Sequence, residues 1–343
     1  MKRRTFISGA LGLGALGLGG LGLGLRAQRA GSGAQLVEGA DLAFGTTISI
    51  QVVHADRRQA ELAIEDALAA ARKIDRLMTL HRFDSQVALL NRTGFVARPD
   101  PHLLTVLAGA RQLSVLTEGA FDVTVQPLWQ AYSAAAVQRR LPDEPQQRAA
   151  MALVDYRQLA FDSQRVALLR PGMALTLNGI AQGHAVDLAR AALEQRGIRH
   201  ALLDTGEFAA RGRNWAQQDW QIGIRDPRDP HALAGVLAPL ERCVATSGDY
   251  QTTFTPDFAH HHIFDPASGD SPGELASATV LAPTGLQADG WSTALMVLGA
   301  KKGLALVAQL ADVDALLIGK DGRRWHSQGW PAGYFHLGSA RMQ

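Results

Sequence analysis

Two oxygen-bearing side chains, Asp289 and Thr293, stand four residues apart in the segment 282–293, which reads Ala-Pro-Thr-Gly-Leu-Gln-Ala-Asp-Gly-Trp-Ser-Thr. On a helix this spacing places both side chains on one face. With a main-chain carbonyl and substrate phosphates they would suit Mg²⁺, which prefers octahedral oxygen ligation and often shares its shell with phosphates. The structural alternative is an acid that favours the dipole of a helix N-terminus, beside a threonine that only packs.

A second segment, residues 175–187, reads Leu-Thr-Leu-Asn-Gly-Ile-Ala-Gln-Gly-His-Ala-Val-Asp. The pattern predicts a strand over 174–177, a glycine-containing turn and a helix over 184–195. Such a turn can present backbone N–H groups to a phosphate. A tight strand-to-helix connection with no ligand explains the same pattern equally well.

Three consecutive histidines, at positions 260–262, precede Ile-Phe-Asp-Pro. Successive side chains of a strand point to opposite faces, so the three do not converge easily on one zinc ion. A single histidine at the head of a strand is better placed as a general base, because its ordinary pKa of about 6.5 suits proton abstraction near neutrality. The spacing alone does not choose among the three, and a structural histidine is the alternative.

Two shorter stretches have the composition of ligand-binding turns. Residues 119–128, Gly-Ala-Phe-Asp-Val-Thr-Val-Gln-Pro-Leu, place an aromatic ring and an acid beside a turn, as in a flavin or adenine wall or an ordinary corner. Residues 245–250, Ala-Thr-Ser-Gly-Asp-Tyr, form a polar turn that contacts a ligand or only reverses the chain.

The composition of the chain excludes several classes of protein. The chain has 343 residues, 47% of them apolar, and one cysteine, which excludes an intramolecular disulfide framework. Of its 34 Lys and Arg residues, five lie in residues 1–30, so 29 basic residues face 32 acids in the remainder. This balance argues against a nucleic-acid partner, which would require a strong basic excess.

The N-terminus reads as a targeting segment. Paired arginines at positions 3 and 4 precede a stretch without charge that contains eight glycines between Gly9 and Gly24. Residues 1–30 resemble a twin-arginine signal, which exports folded proteins to the periplasm. A retained membrane anchor is the alternative, although the glycines make a weak spanning helix.

The remaining residues, 31–343, are predicted to form one catalytic unit of the α+β class. Alternation predicts a strand over 46–54, and short apolar runs predict strands over 201–204, 221–224 and 278–282. Helical spacing covers 58–80, 103–116, 286–298 and 302–310, whereas 142–148 reads as a polar loop. Strands and helices do not alternate strictly, which favours α+β over a doubly wound sheet.

The order and spacing of these segments resemble those of the ApbE family of FAD:protein FMN transferases. The resemblance covers most of the chain, at residues 44–47, 84–85, 90–91, 119–128, 177–187, 220–227, 245–250, 262–266 and 282–299. It implies a T-fold-related α+β fold of mixed sheets with packed helices. It also implies a Mg²⁺-dependent reaction with FAD as substrate, in which FMN is moved to a Thr or Ser hydroxyl of an acceptor flavoprotein and AMP is released.

The resemblance also assigns roles to individual residues. Mg²⁺ would lie on Asp289, Thr293 and the main chain at Gly179, and His262, matching the histidine of a His-Ile-Ile-Asp-Pro motif, would accept the proton of the acceptor hydroxyl. The flavin contacts carried over by position are Phe44, His81, Ala120, Phe121, Asp122, Thr176, Gln182 and Ile263.

Several of these positions depart from the usual family pattern, which has Met at Phe44, Tyr at His81, Asp at Thr176 and Lys at Gln182. Loss of the aspartate and the lysine predicts that FAD is held differently or turned over slowly. Two alternatives therefore stay open: an FAD pyrophosphatase that uses water in place of the acceptor, and a non-catalytic flavin-binding or delivery protein.

The Asn-Gly-Ile-Ala-Gln-Gly sequence at residues 178–183, together with twin-arginine export, is similar to the NosX-like branch that accompanies nitrous oxide respiration. That similarity implies a membrane-bound NosR-like protein as the acceptor and the periplasm as the location.

Overall fold

The computed structural model of the protein describes residues 26–29 and 33–331. The predicted signal segment, residues 1–30, lies outside the described residues except for Arg26–Arg29. Within the described residues the chain forms fourteen strands: β1 (Arg26–Arg29), β2 (Gln35–Ala43), β3 (Thr46–His54), β4 (Phe95–Ala97), β5 (Leu159–Phe161), β6 (Arg165–Leu168), β7 (Ala201–Asp204), β8 (Phe208–Arg211), β9 (Ile222–Arg225), β10 (Leu233–Leu237), β11 (Cys243–Gly248), β12 (Leu275–Ala282), β13 (Asp314–Gly319) and β14 (Arg324–His326).

The same residues form seven α-helices: α1 (Arg57–Met78), α2 (Gln86–Thr93), α3 (Pro101–Leu116), α4 (Gln126–Val137), α5 (Glu144–Met151), α6 (Ala181–Gln195) and α7 (Gly285–Val307). Most begin at a side chain that accepts a hydrogen bond from the first turn, as Asp56 does for α1 and Thr284 for α7. In this part of the chain no helix combines the length and the apolar character needed to cross a bilayer.

A nine-stranded sheet with the order β1-β2-β3-β7-β8-β11-β12-β13-β14 organises the molecule. Its described pairings are all antiparallel, as are those of two small sheets, β9–β10 and β4–β6–β5. Helices α1, α6 and α7 pack on one face of the large sheet and on each other. The predicted α+β class is confirmed by this segregation of helices to one face.

Alternation along the central strands divides the interior into two cores. Val52 and Leu203 belong to the core under the helices, whereas their chain neighbours Val53 and Leu202 face the smaller core formed with β9 and β10. Side chains of a strand point alternately to the two faces, so one sheet can serve both layers. The result is a layer of helices, a central sheet and a partial covering by the β9–β10 hairpin.

Several predicted elements are present with nearly the expected bounds. Strand β3 spans the predicted residues 46–54, and β7 spans 201–204. The two helices predicted over 286–298 and 302–310 are the two arms of α7, which bends at Gly299, where φ is 73°. A positive φ is strained for residues other than glycine, so glycine permits this bend.

Three local predictions are wrong. Residues 245–248, predicted to lie in a polar turn, are the end of β11, which pairs with β12 from Cys243 to Gly248. Residues 174–177 do not form a strand, because the side-chain amide of Asn91 occupies both backbone groups of Leu175, with Nδ2 to the carbonyl and Oδ1 to the N–H at 2.7 Å each. The predicted polar loop over 142–148 contains the start of α5. Asp143 and Gln146 form a reciprocal capping box there, which starts a helix in a polar segment.

Candidate active site

The N-terminal parts of helices α6 and α7 are in direct backbone contact. Gly183 N donates a hydrogen bond to Asp289 Oδ2 at 2.9 Å. A Cβ on Gly183 would overlap the carbonyl of Gly285, and a Cβ on Gly285 would overlap that of Gly183. Asp187 fixes the pair further, since its carboxyl accepts the N–H groups of Gly285 at 2.7 Å and Leu286 at 3.0 Å. The two helices therefore hold Asp289 in one position.

Gly179 and Thr293 also lie against each other. A Cβ on Gly179 would lie 2.7 Å from Thr293 Oγ1, so only glycine leaves this approach open. Ser247 on β11 contributes a hydroxyl 3.1 Å from Thr293 Oγ1 and 2.8 Å from Ser292 Oγ. The three residues assigned to Mg²⁺ are thus close together, with Asp289 one helical turn before Thr293.

This set of oxygen atoms fits a hard cation. One carboxylate, hydroxyl groups and a main-chain carbonyl are the ligand types that Mg²⁺ takes, with phosphates and water completing the shell. Burial raises the pKa of Asp289, and the charge of Asp187 raises it further, whereas the hydrogen bond from Gly183 lowers it. A cation would stabilise the ionised carboxylate there. In the described part of the chain, no three His, Cys, Asp or Glu residues are grouped as metal ligands.

His262 is held by the carbonyl of Thr252. Its backbone N–H and its ring Nδ1 both contact the carbonyl of Thr252, at 3.0 and 3.2 Å. Because a carbonyl only accepts, Nδ1 carries the proton in this contact and Nε2 carries the lone pair. Burial lowers the pKa of His262, so the ring is neutral at pH 7 and able to accept a proton.

The neighbouring histidines are held by other partners. His260 Nδ1 lies 2.7 Å from Asp270 Oδ1, which ties the ring to the next turn of the chain. His261 is buried, with its Nε2 3.3 Å from the carbonyl of Pro272 and its Nδ1 accepting the N–H of Ile263 at 3.4 Å. The three rings are thus held by different partners, and the role of His262 as the base stays a prediction.

Two stretches with predicted flavin contacts meet each other. Thr176 N donates to the carbonyl of Val123 at 2.8 Å, which joins the glycine turn to residues 120–122. Ala120 is half-buried and Phe121 is buried. Asp122 is a buried corner residue whose carboxyl accepts bonds from Thr124 and from the N–H of Tyr156, so its side chain already has partners within the protein.

Gln182 occupies the position where a lysine is usual and makes a structural bond. Its Nε2 donates to the carbonyl of Thr205 at 3.2 Å. The amide fills the space beside Gly206, whose φ of 97° suits glycine and where a Cβ would overlap Gln182 Nε2. A neutral amide therefore joins α6 to the β7–β8 turn.

The other predicted flavin contacts lie on separate elements. Phe44 stands in the β2–β3 turn with a φ of 54° and packs against the main core. His81 is exposed in the segment after α1, and Ile263 is buried next to His262. Their part in flavin binding stays a prediction.

A buried acid that the sequence did not single out, Glu207, lies beside the cation residues. Glu207 is 8% exposed, and its carboxyl accepts a hydrogen bond from the backbone of Thr246. Its pKa is raised by burial and by the charges of Asp289 and Asp204. The available indication was an acid in the turn Asp-Thr-Gly-Glu, directly after the predicted strand 201–204.

The sequence model of the ApbE family matches residues 44–317, so the chain belongs to the ApbE family. A protein of Klebsiella pneumoniae named FAD:protein FMN transferase is 32% identical over 260 residues, which are 73% of this chain and 80% of that protein. A protein of the same name from Vibrio cholerae is 30% identical and covers 81% of this chain and 85% of its own length.

Solved structures agree with the fold described above. Apo flavinyl transferase ApbE of Pseudomonas stutzeri is 30% identical and has a TM-score of 0.74, over 86% of this chain and 95% of that one. The ApbE protein of Thermotoga maritima is 27% identical with a TM-score of 0.76, over 86% and 97%. The predicted membership of the family and its α+β fold are therefore confirmed.

Proposed function

We propose that this protein is an FAD:protein FMN transferase that depends on Mg²⁺, releases AMP and attaches FMN to a Thr or Ser hydroxyl of an acceptor flavoprotein. The two relatives described above are named FAD:protein FMN transferase, and this chain aligns with four fifths or more of the length of each. The observation that carries the proposal is the approach of Gly179 to Thr293 one turn from Asp289, because this arrangement offers oxygen ligands for a cation at the end of a glycine turn.

The reaction is the attack of an alcohol on the pyrophosphate of FAD. The acceptor oxygen forms a bond to the phosphorus of the FMN half, and the bond from that phosphorus to the bridging oxygen breaks, so that AMP leaves. His262 Nε2 takes the hydroxyl proton, a contribution typically worth about 10²–10⁴ in rate. A bound Mg²⁺ supplies charge neutralisation of the pyrophosphate oxygens.

The other residues position the substrate. We place the pyrophosphate beside the turn that carries Gly179, next to Thr293 and one helical turn from Asp289. We place the flavin side of FAD against residues 120–122 and Thr176, where Phe121, buried in the main core, supports this wall from within. Gln182 holds the β7–β8 turn by its amide, so this flavin pocket has fewer charges than is usual in the family.

The proposal extends to location and acceptor. The paired arginines before a glycine-rich segment support export to the periplasm, with the signal either cleaved or retained as an anchor. The Asn-Gly-Ile-Ala-Gln-Gly sequence supports a membrane-bound NosR-like protein as the acceptor.

The test combines the purified protein with FAD, Mg²⁺ and a soluble acceptor domain that carries a Ser/Thr-Gly-Ala-Thr-like stretch. In-gel flavin fluorescence on the denatured acceptor and an equal amount of AMP are the expected results, and EDTA abolishes both. Free FMN and AMP without acceptor labelling would instead identify a pyrophosphatase. Unchanged FAD with tight binding would identify a flavin-binding protein.

A further inference from the structure

Glu207 is a buried acid with one carboxyl oxygen that has no hydrogen-bond partner in the described chain. The residue lies between β7 and β8 and is 8% exposed. Its Oε2 is buried and has no hydrogen-bond partner within the described chain, while the carboxyl accepts the backbone N–H of Thr246. An unpartnered buried carboxyl oxygen is costly, so a native structure that retains one calls for an explanation.

The surroundings of Glu207 connect it to the cation residues through two elements. Thr246, its backbone partner, is followed on β11 by Ser247, whose hydroxyl contacts Thr293. On the side of α6, Gln182 packs against the turn that carries Glu207, and the next residue of that helix donates to Asp289. Glu207 therefore borders the same small region as Asp289 and Thr293.

A purely structural role explains this arrangement poorly. A glutamine would accept the Thr246 N–H equally well and would add no buried charge beside Asp289. Protonation of the carboxyl would remove its charge but would leave Oε2 as a buried donor or acceptor without a partner in the described chain, so a group outside the chain is needed to satisfy it. Mg²⁺ keeps several water ligands, and such water molecules are strong donors to carboxylates.

We infer that Glu207 is a positioning residue of the cation site, whose Oε2 accepts a hydrogen bond from a water molecule bound to the cation on Asp289 and Thr293. The inference rests on the proposed function, because it needs that cation. It assigns Glu207 to the outer part of the site and explains why an acid is buried at the β7–β8 turn.

The test measures cation binding directly, without turnover. Mn²⁺ is titrated into the full chain and free Mn²⁺ is followed by electron paramagnetic resonance, for the wild type and for Glu207→Gln. The variant is expected to bind Mn²⁺ about 10–100-fold more weakly, as is typical when a partner of a metal ligand is lost. Its melting temperature without metal is expected to equal or exceed that of the wild type, because a buried charge has been removed.

Asp314→Asn is the matched control. Asp314 is equally buried, at 8% exposure, but its carboxyl has partners of its own in Arg242 and Ser327, at 2.7 and 2.6 Å. This variant should lose stability and keep its affinity for Mn²⁺, the reverse of Glu207→Gln. Glu207→Asp, which keeps the charge on a shorter side chain, should bind Mn²⁺ with intermediate affinity and provides a second variant if the first does not fold.

The outcomes separate the inference from the proposed function. Equal Mn²⁺ affinity in the wild type and in the Glu207 variants overturns the inference and leaves the transferase proposal standing. A lower melting temperature of Glu207→Gln without metal, at unchanged affinity, makes Glu207 structural. Absence of Mn²⁺ binding by the wild type, with FAD present or absent, overturns the cation site and the inference together.

Discussion

Gly183 on α6 donates its backbone N–H to Asp289 Oδ2 on α7 at 2.9 Å. The bond is possible because Gly183 and Gly285 let the two helix backbones touch, which any side chain at either position would prevent. One oxygen of the carboxyl is thereby fixed by the main chain, and this orients the other. The helix contact thus serves both the packing of the core and the aim of the carboxylate.

Gly183→Ala should damage stability and activity together. Its Cβ would overlap the carbonyl of Gly285 and lie 2.7 Å from Asp289 Cβ, so the helices must separate. Overpacking of this kind typically costs about 1–3 kcal/mol. Urea denaturation should show that loss, and AMP release should fall with it. Gly273→Ala is the control, since no atom lies within 4 Å of a Cβ there; equal stability of the two variants would contradict the prediction.

Asp289→Asn should abolish AMP release without lowering the free energy of unfolding. The amide keeps the shape of the side chain but cannot supply the anionic ligand, and it removes a costly buried charge. Asp187→Ala is the contrasting change, because Asp187 bonds the first N–H groups of α7 and its loss should cost about 1 kcal/mol, as for other helix caps. Chromatography of AMP and chemical denaturation measure the two effects. Undiminished AMP release by Asp289→Asn would remove the aspartate from the site.

The sequence indicates the side chains of the candidate site more readily than it indicates what surrounds them. Asp289 and Thr293 could be paired from the sequence because residues four positions apart lie on the same face of a helix. The approach of Gly179 to Thr293 depends on how two helices pack, and only the family resemblance suggested it. Glu207 was missed because its importance comes from neighbours on β11 and α7 that are distant in the chain.

The fold shows the same division between local and non-local information. Strand β3 and helix α1 follow from periodicity, which is a property of each segment alone. Residues 174–177 have the composition of a strand, but the amide of Asn91, 84 positions earlier than Leu175, takes the bonds that a neighbouring strand would make. Helix α5 is a different case, because its capping-box residues, Asp143 and Gln146, are visible in the sequence. The polar composition of 142–148 nevertheless favours a loop when it is considered alone.

His262→Gln should keep the affinity for FAD and lose transfer by about 10²–10⁴-fold, the usual contribution of a general base. The backbone N–H of residue 262 still donates to the carbonyl of Thr252, at 3.0 Å in the wild type, so the segment 252–262 should stay folded while the basic Nε2 is gone. Fluorescence titration with FAD and single-turnover labelling of the acceptor separate binding from chemistry.

His260→Gln is the matched change two residues earlier. Because His260 contacts Asp270, its replacement should lower stability slightly and should change the rate of transfer little. If both variants lose transfer to the same extent, the histidines hold the segment 252–262 together and neither is the base.

His184 should make the protein less stable in acid. Burial and the charge of His102, 3.3 Å away, lower the pKa of His184 to about 4, against about 6.5 in the unfolded chain. As the pH falls from 6.5 to 4, the unfolded state binds a proton that the folded state does not, so this histidine destabilises the fold progressively.

Buried acids such as Asp204, whose pKa is raised to about 6, act in the opposite direction, so the pH dependence of wild-type stability alone does not identify the effect of His184. The diagnostic quantity is the difference in free energy of unfolding between His184→Gln and the wild type, measured in urea from pH 7 to pH 4. Between pH 7 and pH 4 the free energy of unfolding of the variant should rise by about 3 kcal/mol relative to that of the wild type. A difference that does not depend on pH would mean that His184 has the same pKa in the folded and the unfolded states.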